Sequence, residues 1–174
     1  MTTLPLADWA HPVAEIPAQG LSRDRAIAAD ALAALAKDLG MLSLDDAKTN
    51  YRIERLAGGA YRLHGRVVVN GSQACVITVE PVASHVDDTF DVEFWPDLPE
   101  PDGGEEKTIL DARDVELLEG GSIPVGRIVF ETLSAGLDPY PRKPDAEFSW
   151  SDKADQDAKN VSPFAALSKL KTKP

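Results

Sequence analysis

The chain has 174 residues, 43% of them hydrophobic, and a formal net charge of −11, which suits one domain of ordinary size that folds without staples. So acidic a balance argues against a general phosphate-backbone binder, because such proteins carry a basic excess that releases counterions; neither DNA nor a membrane is an expected partner. One cysteine, Cys75, rules out an intrachain disulfide and a multi-thiolate metal site. The first residues lack the basic start and apolar run of a signal peptide, and no stretch nears the ~18 apolar residues of a membrane span. A cytoplasmic protein is expected.

The charge is unevenly spread. Between positions 80 and 119 there are fourteen Asp and Glu residues against Lys107 and Arg113, which leaves the rest of the chain near neutral. Residues 51–66 carry Arg52, Arg55, Arg62 and Arg66 against Glu54 alone, and four lysines with no acid follow from Lys159. A polarised chain of this kind can present a basic face despite an acidic total.

Residues 4–19 mix prolines with Val13 and Ile16 and read as an edge strand or an extended arm. Over 22–39 the apolar positions Ile27, Ala28, Ala31, Leu32, Leu35 and Leu39 recur at helical spacing, with Ser22 placed to cap and Gly40 to terminate. One apolar stripe describes a helix laid over a sheet. The runs 51–57, 60–70, 72–82 and 86–95 are rich in β-branched and aromatic residues, and Gly58-Gly59 and Asn70-Gly71 separate the first three. Asn-Gly between two such runs predicts a hairpin, since a type I′ turn needs positive φ at both central residues. The strands should therefore be antiparallel. In the second run Tyr61, Leu63, Val67 and Val69 share one face and Arg62, His64 and Arg66 the other; in the fourth, Val86, Phe90, Val92 and Phe94 oppose Asp87, Thr89, Asp91 and Glu93. One sheet is thus expected to show a basic stripe and an acidic stripe.

Residues 96–106 hold three prolines, two glycines and five acids and read as a mobile acidic loop. An apolar stretch at 115–118 leads through Gly120-Gly121 to a helix from about Pro124, with Val125, Ile128, Val129, Phe130, Leu133 and Leu137 on its buried face. Pro139, Pro141 and Pro144 keep the next segment extended, and 145–160 is a polar linker to a short C-terminal helix at 162–171 with Phe164, Leu167 and Leu170 on one side. The expected fold is α+β: a mostly antiparallel sheet of four or more strands with two longer helices and the short terminal one.

Two motifs, Leu137-Asp138-Pro139-Tyr140-Pro141-Arg142-Lys143-Pro144 and Ser162-Pro163-Phe164-Ala165-Ala166-Leu167-Ser168-Lys169-Leu170-Lys171, together resemble the YceD-like family of large ribosomal RNA subunit accumulation proteins. The central segment at 73–82, Gln-Ala-Cys-Val-Ile-Thr-Val-Glu-Pro-Val, resembles that family too, and the likeness runs from about residue 51 to 171. The resemblance implies a single domain of that family over 1–174. It also implies a role in the synthesis, processing or stability of large-subunit (23S) ribosomal RNA, without catalytic activity or cofactor. Many relatives carry Cys-x-x-Cys in the central segment; here Thr78 follows Cys75 at the second position. Two thiolates at that spacing make half a tetrahedral zinc site and one does not, so no metal role is carried over.

From the residues alone, Cys75 reads as a small buried hydrophobe in a strand. His11, His64 and His85 form no metal-ligand spacing, and the acidic pairs Asp45-Asp46, Asp87-Asp88 and Glu105-Glu106 read as solvated charge. No phosphate-cradling loop, nucleophile elbow or dinucleotide fingerprint is present. Three groups stand as candidate contacts for large-subunit ribosomal RNA or a pre-ribosomal protein. The stripe Arg62, His64 and Arg66 could meet RNA phosphates with Tyr51 or Tyr61 stacking nearby. The segment Asp138, Pro139, Tyr140, Pro141, Arg142 and Lys143 offers an aromatic anchor and two cations on a stiff backbone. Phe164 with Lys169 and Lys171 offers an amphipathic end, which docks on this protein's own core or on a partner. The competing expectation is an acidic adaptor that holds a basic ribosomal protein without touching RNA.

Overall fold

In a computed structural model of the chain, residues 6–97 and 114–147 are described. The fold is α+β. Strands β2 (Leu21–Ala26), β3 (Ser43–Arg55), β4 (Tyr61–Ala74), β5 (Pro81–Trp95) and β6 (Asp114–Leu117) form one sheet in that order. The first three pairings are antiparallel, while β6 runs parallel to the end of β5. A small antiparallel ribbon joins β1 (Ala10–Pro12) to β7 (Ser122–Pro124). Helices α1 (Ala29–Asp38) and α2 (Val125–Gly136) complete the order.

Strict alternation places Tyr61, Leu63, Val67 and Val69 of β4 and Val86, Phe90, Val92 and Phe94 of β5 in the core, as their two-residue period predicts. Leu35 and Ala36 of α1 and Val125, Ile128, Val129 and Leu133 of α2 join the same cluster, with Trp9, Ile16 and Ile123 beside them. Burial of a side chain such as Leu133 contributes roughly 1.5–3 kcal/mol. Pro124 stands at the head of α2, where its missing N–H costs nothing. The described part of the expected arm at 4–19 holds β1 between two short helical turns.

Three expectations need correction. The predicted helix over 22–39 is split: Leu21–Ala26 is a strand paired with β3 from Leu21↔Ile53 to Ala26↔Lys48, so Ser22 lies within a ladder and caps nothing. Pairing with the exposed edge of β3, together with Arg25 stacked 5.1 Å from the Trp9 ring centroid, overrides the local helical period. Gly40 does terminate α1, at φ 68. Second, β3 begins at Ser43, eight residues before the run that signals it. A register shift between Leu44 and Asp46 changes which parity faces inward, so Leu44 is buried on one side of it and Ala47, Thr49, Tyr51 and Ile53 on the other.

Third, Asn70-Gly71 is not a turn. β4 continues through it to Ala74, pairing Asn70↔His85 and Gly71↔Ser84, and the reversal comes at 75–80. Glycine is needed at 71 for space: a Cβ there would collide with the Ser43 carbonyl oxygen of β3. Gly58 and Gly59, in contrast, do turn the chain between β3 and β4 at φ 72 and 80. The predicted acidic loop at 96–106 falls almost wholly, and the C-terminal helix at 162–171 wholly, outside the described residues. Gly71→Ala is expected to lower the unfolding free energy by about 1–3 kcal/mol through overpacking, measured by urea denaturation; an unchanged midpoint would mean that β3 and β4 do not approach so closely at Gly71.

Candidate functional site

The polar face of the sheet carries both predicted stripes, on adjacent strands, where they neutralise each other. Arg62 makes a bidentate pair with Asp91 and Arg66 one with Asp87, each reaching diagonally across the β4–β5 ladder. His64 lies 3.9 Å from Glu54. The Arg66 hydrogen bonds hold the Asp87 carboxyl below its usual range, and hydrogen bonding to Asp91 pushes the Arg62 guanidinium higher still. Lys48 meets Asp46 at 3.4 Å, and Arg52 meets Glu54 at 2.7 Å. Tyr51 and Tyr61, the expected stacking rings, point the opposite way into the core, 3% and 8% exposed. Tyr51 also bonds through its hydroxyl to His11 Nε2 at 2.7 Å. Among the described residues the face has charge order but neither spare cations in a row nor an aromatic platform.

The proline-rich segment is placed differently. It lies along the β4–β5 turn, about 30 Å of strand away from Arg66 at the usual rise per residue. The turn is built tightly. The amide of Cys75 donates to the Glu80 carbonyl at 2.8 Å, and that of Val79 to the Cys75 carbonyl at 2.9 Å. Val79 closes this turn at φ 62, a left-handed conformation that costs a β-branched residue about 1–3 kcal/mol. Against it, Val76 N–H donates to the Pro141 carbonyl at 2.9 Å and Gln73 Nε2 to the Asp138 carbonyl at 3.0 Å. Lys143 Nζ reaches Glu80 Oε2 at 2.8 Å, and the Asp138 carboxylate accepts the Tyr140 amide at 2.9 Å. The Lys143–Glu80 pair is solvent-exposed and worth about 0–1 kcal/mol.

Cys75 sits at the centre of this junction, only 1% exposed. It is buried, as expected, but it lies in the turn and does more than fill space. The Thr78 hydroxyl first, and then the backbone N–H groups of Lys143, Thr78 and Ile77, favour the thiolate and pull the thiol from about 9 to about 6. The proline-rich segment is tied to the turn around this residue by the Val76–Pro141 and Gln73–Asp138 hydrogen bonds and the Lys143–Glu80 pair. No group of three or more His, Cys, Asp and Glu among the described residues is arranged to hold a metal.

Thus Asp138, Pro139, Tyr140, Pro141, Arg142 and Lys143 stand together, with Pro141 buried and Tyr140 and Arg142 turned outward. Arg62, His64 and Arg66 form a separate, paired row, while Phe164, Lys169 and Lys171 lie outside the described residues. Val76, Val79 and Glu80 complete the site and were not anticipated as contacts. The available signal was Pro81, which cannot donate to a ladder and so marks the first residue of a strand rather than the interior of one.

No family model, curated protein or solved structure matches the chain. Among the described residues no helix is long and apolar enough to cross a membrane. The site is therefore interpreted from its own geometry, which offers two rigid backbone segments locked edge to edge and displaying apolar side chains.

Two measurements follow. A thiol whose pKa is depressed on folding stabilises most above its unfolded value near 9, and that contribution falls away as pH drops through about 6. His11, lowered by burial and then by Arg25 and Arg23, affects stability only below about 6.5. The melting temperature should accordingly rise between pH 6.5 and 9, and Cys75→Ser should flatten that rise; an equal slope in the variant would contradict the hydrogen-bonded thiolate. Val79→Gly should stabilise by about 1 kcal/mol, since relief of the left-handed strain exceeds the entropy cost of glycine; destabilisation in urea unfolding would contradict the strain.

Proposed function

We propose that the protein is a non-enzymatic factor supporting accumulation of large-subunit ribosomal RNA, and that it works by binding a pre-ribosomal component at the junction of the β4–β5 turn and residues 138–144. The observation that carries this reading is convergence. The segment at 73–82 and the Leu137–Pro144 motif, two of the three stretches in which the chain resembles the YceD-like family, are far apart in sequence and meet in one hydrogen-bonded surface. A segment needed only to end a helix would have no reason to lock onto a turn and leave Tyr140 69% exposed.

The engaged partner is reached through the proline-rich segment rather than the sheet. Arg62 and Arg66 are already committed to carboxylates on the sheet, whereas Tyr140 and Arg142 are exposed and Arg142 has no ionic partner among the described residues. Proline at 139, 141 and 144 fixes φ along this bent stretch before any partner arrives, which lowers the ordering cost of binding.

The test is genetic. Removal of the gene in its native host should lower the ratio of large-subunit to small-subunit ribosomal RNA, and the wild-type gene should restore it. A variant carrying Arg142→Ala and Tyr140→Ala should restore it only partly while accumulating as folded protein. An unchanged ratio in the deletion strain would exclude the function; full restoration by the variant would exclude residues 138–144 as the working site.

A further inference from the structure

We infer that the end of the molecule formed by the β4–β5 turn, residues 138–144 and the α1–β3 connection is a docking surface for a cationic protein segment carrying apolar side chains. This inference rests on the binding reading above and names the class of partner. Of the six large hydrophobic residues that are notably exposed among the described residues, four lie on these segments: Leu42 at 52%, Val76 at 49%, Val79 at 73% and Tyr140 at 69%. Val76 lines a groove of about 370 Å³ together with Leu39, Gly40, Leu137, Pro139 and Pro141, and Tyr140 stands between those two prolines in the chain. Leu42 borders a neighbouring groove that shares Gly40. Patches of this kind on a folded chain mark interaction sites.

The apolar centre is held ready. The backbone at Tyr140 is fixed by the Asp138 carboxylate on its amide and by a proline on each side, so only the side-chain rotamer is left to order. Val79 is held at φ 62 with its side chain in water, so its folded position brings backbone strain and almost no burial in return. A contact with a partner is the gain that such a placement leaves open.

Charge decides between protein and nucleic acid. Asp38, Asp45, Asp138, Asp145 and Glu147 stand exposed around the surface, against Lys37 and Arg142, with Lys143 already paired to Glu80. A phosphate backbone would meet this rim unfavourably, while a lysine- or arginine-bearing segment would be drawn to it, in keeping with the formal charge of −11 on the whole chain. The apolar centre needs matching apolar side chains between those cations, which favours a protein over RNA.

The experiment uses the full-length chain and an array of synthetic peptides tiling the proteins of the bacterial large ribosomal subunit, with fragments of large-subunit ribosomal RNA assayed in parallel by fluorescence anisotropy. Peptides combining Lys or Arg with apolar residues should bind, with affinity falling as salt is raised. Tyr140→Ala and Val79→Gly should each weaken binding by roughly tenfold or more, and the melting temperature of each variant, expected to be raised for Val79→Gly, separates lost contact from unfolding. Failure of the wild-type chain to bind any peptide, binding unaffected by both substitutions, or binding of RNA fragments lost in the same variants would overturn the inference. These outcomes are separate from the ribosomal RNA ratio: a deletion strain with a lowered ratio and unaffected peptide binding would retain the function and discard the surface.

Discussion

The ladder between β4 and β5 sets where everything else sits. It pairs the strands without interruption from Tyr61↔Phe94 to Ala74↔Pro81, which aligns two apolar rows on one face and two charged rows on the other. The apolar rows give α1 and α2 a surface to cover. The charged rows meet as Arg62–Asp91 and Arg66–Asp87, so a pattern that suggests a basic stripe in one strand becomes a self-neutralised face in two. Cross-strand pairs of this sort contribute roughly 0.2–1 kcal/mol each, enough to bias register and too little to make the face a store of free cations.

The same ladder carries its turn to one end of the sheet, away from the β1–β7 ribbon. There the Gln73 side chain, the Val76 amide and the Glu80 carboxylate all meet residues 138–144. Each interaction is modest alone, yet they act on one short stretch already stiffened by proline, so the segment becomes part of the fold while Tyr140 and Arg142 remain outside it. Rigidity beneath exposed aromatic and cationic side chains is the property that separates this surface from an ordinary solvated loop.

Much of the sheet was legible in the chain. The alternations in 61–69 and 86–94 and the glycine pair at 58–59 placed two strands and one turn, and the apolar period after Pro124 placed α2. What failed did so for tertiary reasons. Leu21–Ala26 has the composition of a helix start but lies beside an open strand edge. Asn70-Gly71 has the composition of a turn, yet its glycine answers a neighbouring backbone that local sequence does not reveal. The true reversal uses Val79 in a conformation usually left to glycine, so no turn signal precedes it. As for the site, residues 138–144 stood out by proline spacing and charge, whereas the role of 75–80 was hidden because it depends on contact with a segment some sixty residues away.

Amide hydrogen exchange at Val76, followed by NMR on the full chain, tests most directly whether turn and segment form one surface. The Val76 side chain is half exposed and its amide donates to the Pro141 carbonyl. Strong protection of that amide, lost when the 138–144 stretch is replaced by a Gly-Ser linker, is the expected result. Exchange at the rate of an open loop in the wild-type chain would contradict the docking of residues 138–144, and with it the surface on which the proposed function depends.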